Sequence, residues 1–188
     1  MNKNKILIID LETTGFLQKG GHIVEIGIVE LDLSAGSKKV LFDKVVLEHG
    51  TTWPELRDSW ICKNSDLTAN KIASAHSLEE YAREIQQILN DYPEGATAFN
   101  NTFDFGFMED RSFTFPKKLA CPMKLSTDIC KLPNRNGYAG YKWPTVEEAH
   151  LHFFGEVGYI EKHRGADDAM HEADIVLELY RLGVFKIN

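Results

Sequence analysis

Apolar positions along the chain fall into runs whose period changes from strand-like to helical. Ile6-Leu7-Ile8-Ile9 is an unbroken aliphatic run, the pattern of a strand buried on both faces, and it ends in Asp10-Leu11-Glu12-Thr13-Thr14-Gly15. Phe16 to Gly21 reads as a turn, and His22 to Leu33, with Ile23, Val24, Ile26, Ile28, Val29, Leu31 and Leu33, reads as a second strand. Ser34-Ala35-Gly36-Ser37 predicts a hairpin turn, after which Val40 to Leu47 returns as a third, antiparallel strand. From Glu48 to Ser77 no period holds, and Trp53-Pro54, Trp60 and Cys62 predict an irregular arm or short helices that pack aromatic side chains.

Helical spacing then takes over. Leu78, Tyr81, Ala82, Ile85, Ile88 and Leu89 lie on one stripe, with Ser77 as N-cap and Glu80 completing a capping box; Tyr92-Pro93-Glu94-Gly95 stops this helix. Ala96 to Phe99 is a short buried strand, and a strand in that position after a helix predicts parallel pairing. Cys121 to Leu132 reads as a strand end and a helical turn, followed by a Pro-, Gly- and Asn-rich loop to Pro144. Thr145 with Glu148 opens a helix that runs to Phe154 and stops at Gly155. The last helix begins near Ala166, buries Ala169, Ala173, Val176, Leu177 and Tyr180, and ends before Gly183. The fold class is α/β: a mixed sheet whose first three strands are antiparallel, followed by a parallel one.

Composition narrows the function classes. A chain of 188 residues suits one domain, here read as residues 1–188 with a less regular arm around 48–77. A net charge of −7 argues against coating long nucleic acid by phosphate neutralisation, but suits an enzyme that grips a strand end through bound cations. Cys62, Cys121 and Cys130 are odd in number and widely spaced, which predicts neither a disulfide framework nor a zinc knuckle and fits a reducing cytoplasm. The apolar run behind Lys5 is too short for a signal peptide or a membrane span.

Three places carry chemistry. Side chains alternate along a strand, so Asp10 and Glu12 share a face, where like charges at a buried strand end call for a cation or a shared proton. Hard carboxylate oxygens at this spacing suit Mg²⁺ or Mn²⁺. Asn100-Asn101-Thr102-Phe103-Asp104 follows the short parallel strand at its C-terminal end, where α/β proteins place ligands; Asp104 is either a helix N-cap or a metal ligand. His163-Arg164-Gly165-Ala166-Asp167-Asp168 opens the last helix. A histidine there can act as a general base, and an Asp can face a metal or simply favour the helix N-terminus. Arg164 reads as a solvated charge within reach of a phosphate.

In order and spacing, Asp10-x-Glu12, Asn100-x-x-Phe103-Asp104 and His163-x-x-x-x-Asp168 resemble the motifs of the DEDDh exonucleases, the DnaQ-like group that includes the epsilon proofreading subunit of DNA polymerase III, ribonuclease T and oligoribonuclease. The resemblance runs from Lys5 to about Leu182, with softer matches at Val24-Glu25-Ile26-Gly27, Leu67-Thr68 and Lys142-Trp143-Pro144-Thr145-Val146. It departs from many relatives at Phe99 and at Lys63-Asn64-Ser65. The resemblance implies a ribonuclease H-like fold with helices on both faces of the sheet. It implies Asp10, Glu12, Asp104 and Asp168 as metal-binding carboxylates and His163 as general base, with Asp168 chosen over Asp167 because the family leaves four residues between His and Asp.

The implied activity is 3′→5′ exonuclease hydrolysis releasing nucleoside 5′-monophosphates, with two Mg²⁺ or Mn²⁺ ions about 4 Å apart clamping the scissile phosphate. Leu11 and Thr13 are placed to meet the terminal 3′-hydroxyl, Phe16 and Phe103 to stack on bases, and Lys142, with Lys131, Arg135 and Trp143, to grip the strand. The expected partner is a nucleic acid 3′ end, DNA in preference to RNA and single-stranded in preference to duplex. An RNA-trimming enzyme with the same chemistry is the alternative, and a catalytically silent binding module a further one. A calcium-binding structural protein lacks its twelve-residue loop. Because the last predicted helix finishes near Gly183, no polymerase-tethering tail is expected, and a free-standing, distributive enzyme is predicted.

Overall fold

The computed structural model describes residues 4–134, 139–155 and 159–187. Its sheet is built from β1 (Lys5–Thr13), β2 (Ile23–Asp32), β3 (Ser37–Val45) and β4 (Ala96–Thr97) in the order β3-β2-β1-β4. The first two pairings are antiparallel, and β4 lies parallel to β1 through Leu7↔Ala96 and Ile8↔Thr97. Among the described residues eight α-helices accompany the sheet: α1 (Trp53–Asp58), α2 (Trp60–Asn64), α3 (Ala69–Ala73), α4 (Leu78–Asp91), α5 (Asn101–Asp110), α6 (Pro122–Cys130), α7 (Val146–Phe154) and α8 (Gly165–Arg181). No helix among the described residues is long and apolar enough to cross a membrane. All three cysteines are free.

The central strand explains the layering. Alternate residues of β1 face opposite sides, so Ile6 and Ile8 join α6, α7 and α8 in one core, while Leu7, Ile9 and Leu11 join α4 and α5 in the other. Asp10 and Glu12 continue the side of Ile6 and Ile8, which directs them toward α8. This is the ribonuclease H-like arrangement of a mixed sheet between two helical layers.

Both predicted capping boxes form, Ser77 with Glu80 on α4 and Thr145 with Glu148 on α7, and Gly155 ends α7 in the left-handed conformation. The differences are local. Strand β3 starts at Ser37 rather than Val40, because Asp32 Oδ1 accepts hydrogen bonds from the backbone of Ser34 and Ala35 and closes a tight turn that pairs Asp32 with Ser37. The span from Cys121 is a full helical segment, α6, rather than a strand end and a turn. The arm becomes three capped short helices, but its core is aliphatic: Leu56, Ile61, Leu67 and Ile72 pack with Val24. Trp53 and Trp60 stay about half exposed, at 48% and 57%, so the expectation that the arm packs its aromatic side chains is corrected. Arg135 and Tyr138 of the predicted gripping loop lie outside the described residues.

One backbone contact sets the position of α8. Gly27, the register partner of Asp10, lies so close to the start of α8 that a Cβ there would sit 2.1 Å from the Gly165 carbonyl carbon; a Cβ on Gly165 would sit 2.7 Å from the Gly27 nitrogen. Any side chain at either position would force the helix off the sheet.

Candidate active site

The three sequence motifs meet at the C-terminal end of β1. Asp10 and Glu12 come from the strand, Asp104 from the first turn of α5, Asp168 from the first turn of α8, and His163 from the loop before it. Asp104 is not the helix cap, a position held by Asn100; its Oδ1 accepts from the Leu11 backbone N–H at 3.2 Å, tying α5 to the strand between the two strand carboxylates. The register with β2 shifts between Glu12, which faces Glu25, and Thr13, which faces Ile23, so the ladder is irregular at the edge of the site.

Asp168 is wholly buried and held by three donors: the Tyr159 hydroxyl at 2.8 Å and the Lys162 N–H at 3.3 Å on Oδ1, and the Arg164 N–H at 2.8 Å on Oδ2. Asp167, one position earlier, accepts from Lys162 Nζ on Oδ1 at 3.0 Å, while its Oδ2 is buried with no hydrogen-bond partner. Ligand atoms of Glu12, His163 and Asp168 lie within 4.8 Å of one another. His163 takes a left-handed backbone with φ of 55°, unusual for a residue with a side chain, and its ring meets the edge of Trp60 at 4.6 Å between centroids.

The electrostatics are those of an uncompensated anionic pocket. Asp10 Oδ2 is buried with no hydrogen-bond partner. Burial, then the charges of Glu172, Glu12, Asp104 and Asp168, hold the Asp10 carboxyl well above the usual carboxylate range. Burial and neighbouring Asp168 push Glu12 up to about 9, and burial takes Asp104 to about 7 against the pull of backbone N–H groups. The guanidinium next in the chain to His163 is already committed. Arg164 grips wholly buried Glu25 through Nε and Nη2 and reaches Asp66 through Nη1, which corrects its reading as a solvated charge. The oxygen-rich donor set and the orphaned Asp10 oxygen fit a hard divalent cation.

Two further carboxylates belong to the site. Glu172 is buried one helical turn after Asp168, accepts from the Phe99 N–H at 3.1 Å, and is raised by burial and by Asp104. Glu161 is raised to about 7 by burial and the neighbouring Asp168. Sequence reading passed over both, although Glu172 interrupts the apolar stripe of α8 between Ala169 and Ala173, and a carboxylate on a buried face was the available signal.

Around these groups the surface forms a cleft with two lobes. The polar lobe is bordered by Asp10, Glu12, Asp104, His163 and Glu172, with Trp143 on its rim. The second is largely apolar and runs along Leu11, Glu12, Thr13, Phe16, Trp60 and Phe103. Leu11, Thr13, Phe16 and Phe103 all line this second lobe. Phe103 also packs on Phe107 at 5.0 Å between ring centroids, and it meets Phe16 edge-on at 6.4 Å. Lys142 is not on either lobe: its ammonium binds both oxygens of Glu148, at 2.5 and 2.7 Å.

Residues 7–176 match the family model described as RNase_T exonuclease. The chain belongs to this exonuclease family. It is a member of the DEDDh, DnaQ-like 3′→5′ exonuclease group. Among curated relatives, the exonuclease chain is 22% identical over 179 residues to the DNA polymerase III PolC-type of Clostridium perfringens (strain 13 / Type A), covering 92% of this chain but only 11% of that protein. Among solved structures, it resembles a 3′-exonuclease in a study of 3′-end specific recognition of histone mRNA stem-loop, with a TM-score of 0.73, 15% identity, and coverage of 98% of this chain and 85% of that one. It also resembles the nuclease domain of 3′hExo, a DEDDh family member, bound to rAMP, with a TM-score of 0.71, 16% identity, and coverage of 98% and 96%.

Proposed function

We propose that residues 1–188 act as one exonuclease domain that removes nucleoside 5′-monophosphates from single-stranded nucleic acid 3′ ends, using two Mg²⁺ or Mn²⁺ ions. The observation that carries this reading is the two-lobed cleft: a carboxylate cluster with an orphaned buried oxygen borders directly on an apolar wall of Phe16, Trp60 and Phe103. A phosphodiester fits the first lobe, and the base attached to it fits the second.

Asp10, Glu12, Asp104 and Asp168 hold the cations, which supply a low-pKa water and charge stabilisation at the leaving oxygen. Glu161 and Glu172 add negative charge around that set. His163 takes the proton of the attacking water, a contribution worth roughly 10²- to 10⁴-fold in rate. Leu11 and Thr13 border the terminal sugar, Phe16 and Phe103 flank the last base, and Trp60 closes the wall while holding the His163 ring. Lys142 acts on α7 rather than on the strand, by fixing the Glu148 of its capping box.

DNA is the preferred substrate in this reading, supported by the PolC-type relative; trimming of RNA is the second reading, supported by the stem-loop-recognising neighbour. A digest of matched, end-labelled DNA and RNA single strands by metal-stripped protein, with and without Mn²⁺, tests both. Nucleoside 5′-monophosphates released stepwise only with metal, and lost in Asp168→Ala, are expected. Full hydrolysis in excess chelator, or cleavage at internal bonds, would overturn the reading.

A further inference from the structure

A second group of metal-ligating side chains lies between α7 and α8, and the cleft does not use it. His150 on α7 and His171 and Asp174 on α8 each offer a ligand atom within 4.8 Å of the other two. His171 and Asp174 are three residues apart on one helix, so their side chains leave the same face. His150 crosses to them from the neighbouring helix, with ring centroids of the two histidines 5.6 Å apart at 75°.

The independent sign of a ligand is on His150. Its side chain is more than nine-tenths buried, and Nδ1 has no hydrogen-bond partner. A buried polar atom left unpaired is costly, and the great majority of such atoms find a partner in protein or water. An imidazole nitrogen beside a second imidazole and a carboxylate finds one in a metal ion.

We infer that His150, His171 and Asp174 form a binding site for a transition-metal ion of the zinc class, distinct from the catalytic carboxylates and joining α7 to α8. Two nitrogens and one oxygen suit Zn²⁺, whereas Mg²⁺ prefers an all-oxygen shell. Around a tetrahedral ion with bonds of about 2.1 Å, donor atoms stand about 3.4 Å apart, so the three side chains must draw together by roughly an ångström or so. His171 and Asp174 keep side-chain exposures of 34% and 33%, which leaves them room to turn.

The surroundings have the form of an outer shell. Asp174 Oδ1 accepts from Lys38 Nζ at 2.5 Å, and Lys38 also donates to the Met170 carbonyl, so the carboxylate is held from behind while a metal takes its free face. The Tyr159 ring packs against both histidines, with its centroid 4.0 Å from that of His171 and 5.0 Å from that of His150. The same tyrosine donates its hydroxyl to Asp168. A metal here therefore steadies both the helix that carries Asp168 and the side chain that orients it.

The test separates this site from the catalytic one. In the full chain carrying Asp10→Asn and Asp104→Asn, which depletes the cleft of metal-binding oxygens, Co²⁺ is titrated and its visible ligand-field absorption recorded, followed by displacement with Zn²⁺ and by equilibrium binding of Zn²⁺. One equivalent of four-coordinate Co²⁺ with intense bands, displaced by Zn²⁺ and untouched by excess Mg²⁺, is expected. His171→Gln and Asp174→Asn, both at positions about one-third exposed, should each weaken Zn²⁺ binding at least tenfold with an unchanged circular dichroism spectrum; His150→Gln should do the same. Absence of stoichiometric Zn²⁺ binding in the Asp10→Asn, Asp104→Asn chain would overturn the proposal, and so would unchanged affinity in His171→Gln. Because the readout is binding in a catalytically disabled chain, failure here leaves the exonuclease reading standing.

Discussion

Stripped of metal, this protein should be markedly less stable at pH 8 than at pH 5. A carboxyl whose pKa rises on folding binds its proton more tightly in the folded chain. Its stabilising contribution is complete below the unfolded pKa and is lost as pH climbs through the folded value. Glu12, at about 9 in the metal-free fold against an ordinary value of 4.5, spans that whole window. Integrating the difference in bound protons from pH 5 to pH 8 gives about 4 kcal/mol for Glu12 alone. Asp104 and Glu161, each near 7, act in the same direction and share the same repulsion, so they sharpen the fall rather than multiply it. Asp32, Asp58 and Asp66, whose pKa values are lowered, titrate below this window and do not offset it, whereas His171, lowered from 6.5 by burial, gains stability as pH rises within it and offsets a part. For a chain of this size 1 kcal/mol is about 2–4 °C in melting temperature, so the drop should be roughly 8–16 °C. Differential scanning calorimetry in chelator across pH 5–8 measures it. Adding Mn²⁺ should restore most of the loss at pH 8, and Asp10→Asn should flatten the metal-free profile. A melting temperature that is level or rises from pH 5 to pH 8 in chelator would refute the electrostatic account of the cleft.

Removing the base by His163→Ala should slow hydrolysis by roughly 10²- to 10⁴-fold, read from initial rates on an end-labelled single strand. Arg164→Ala leaves Glu25 buried without its partner and should cost about 3–5 kcal/mol in a denaturant titration, much of it recovered by adding Glu25→Met; an unaffected midpoint would show that the pair is not structural. Trp60→Ala should raise KM by roughly 5- to 150-fold, the worth of one base stack, with a much smaller change in kcat, and an unaltered KM would remove Trp60 from the substrate wall.

Much of this was legible because the signals were local. The four aliphatics before Asp10 could only be a buried strand, and capping pairs such as Thr145 with Glu148 announce themselves at fixed spacing. The convergence of Asp10, Glu12, Asp104, His163 and Asp168 was readable from motif order. What stayed hidden depends on partners distant in sequence. Arg164 reads as a solvated charge until β2 brings Glu25 beneath it, more than a hundred residues away. Trp60 reads as core until the aliphatic residues of the arm fill that role and leave its ring against His163. Lys142 reads as a phosphate grip until the Glu148 that caps α7 claims its ammonium.

The close approach of Gly27 to Gly165 carries a mechanical consequence. Between the strand that bears Asp10 and the helix that bears Asp168 there is bare backbone at the point of contact, with no rotamer to flip and no methyl group to slide. Two halves of the metal cradle are thus keyed together as rigid parts, and the cradle has no jaw to open there. Accommodation of different strand ends must come instead from the pieces around it: the turn through Phe16, the arm that presents Trp60, and the segment leading to His163. Variation in what such a domain digests is then expected to accumulate in those flanking pieces, while the joint beneath the carboxylates stays as it is.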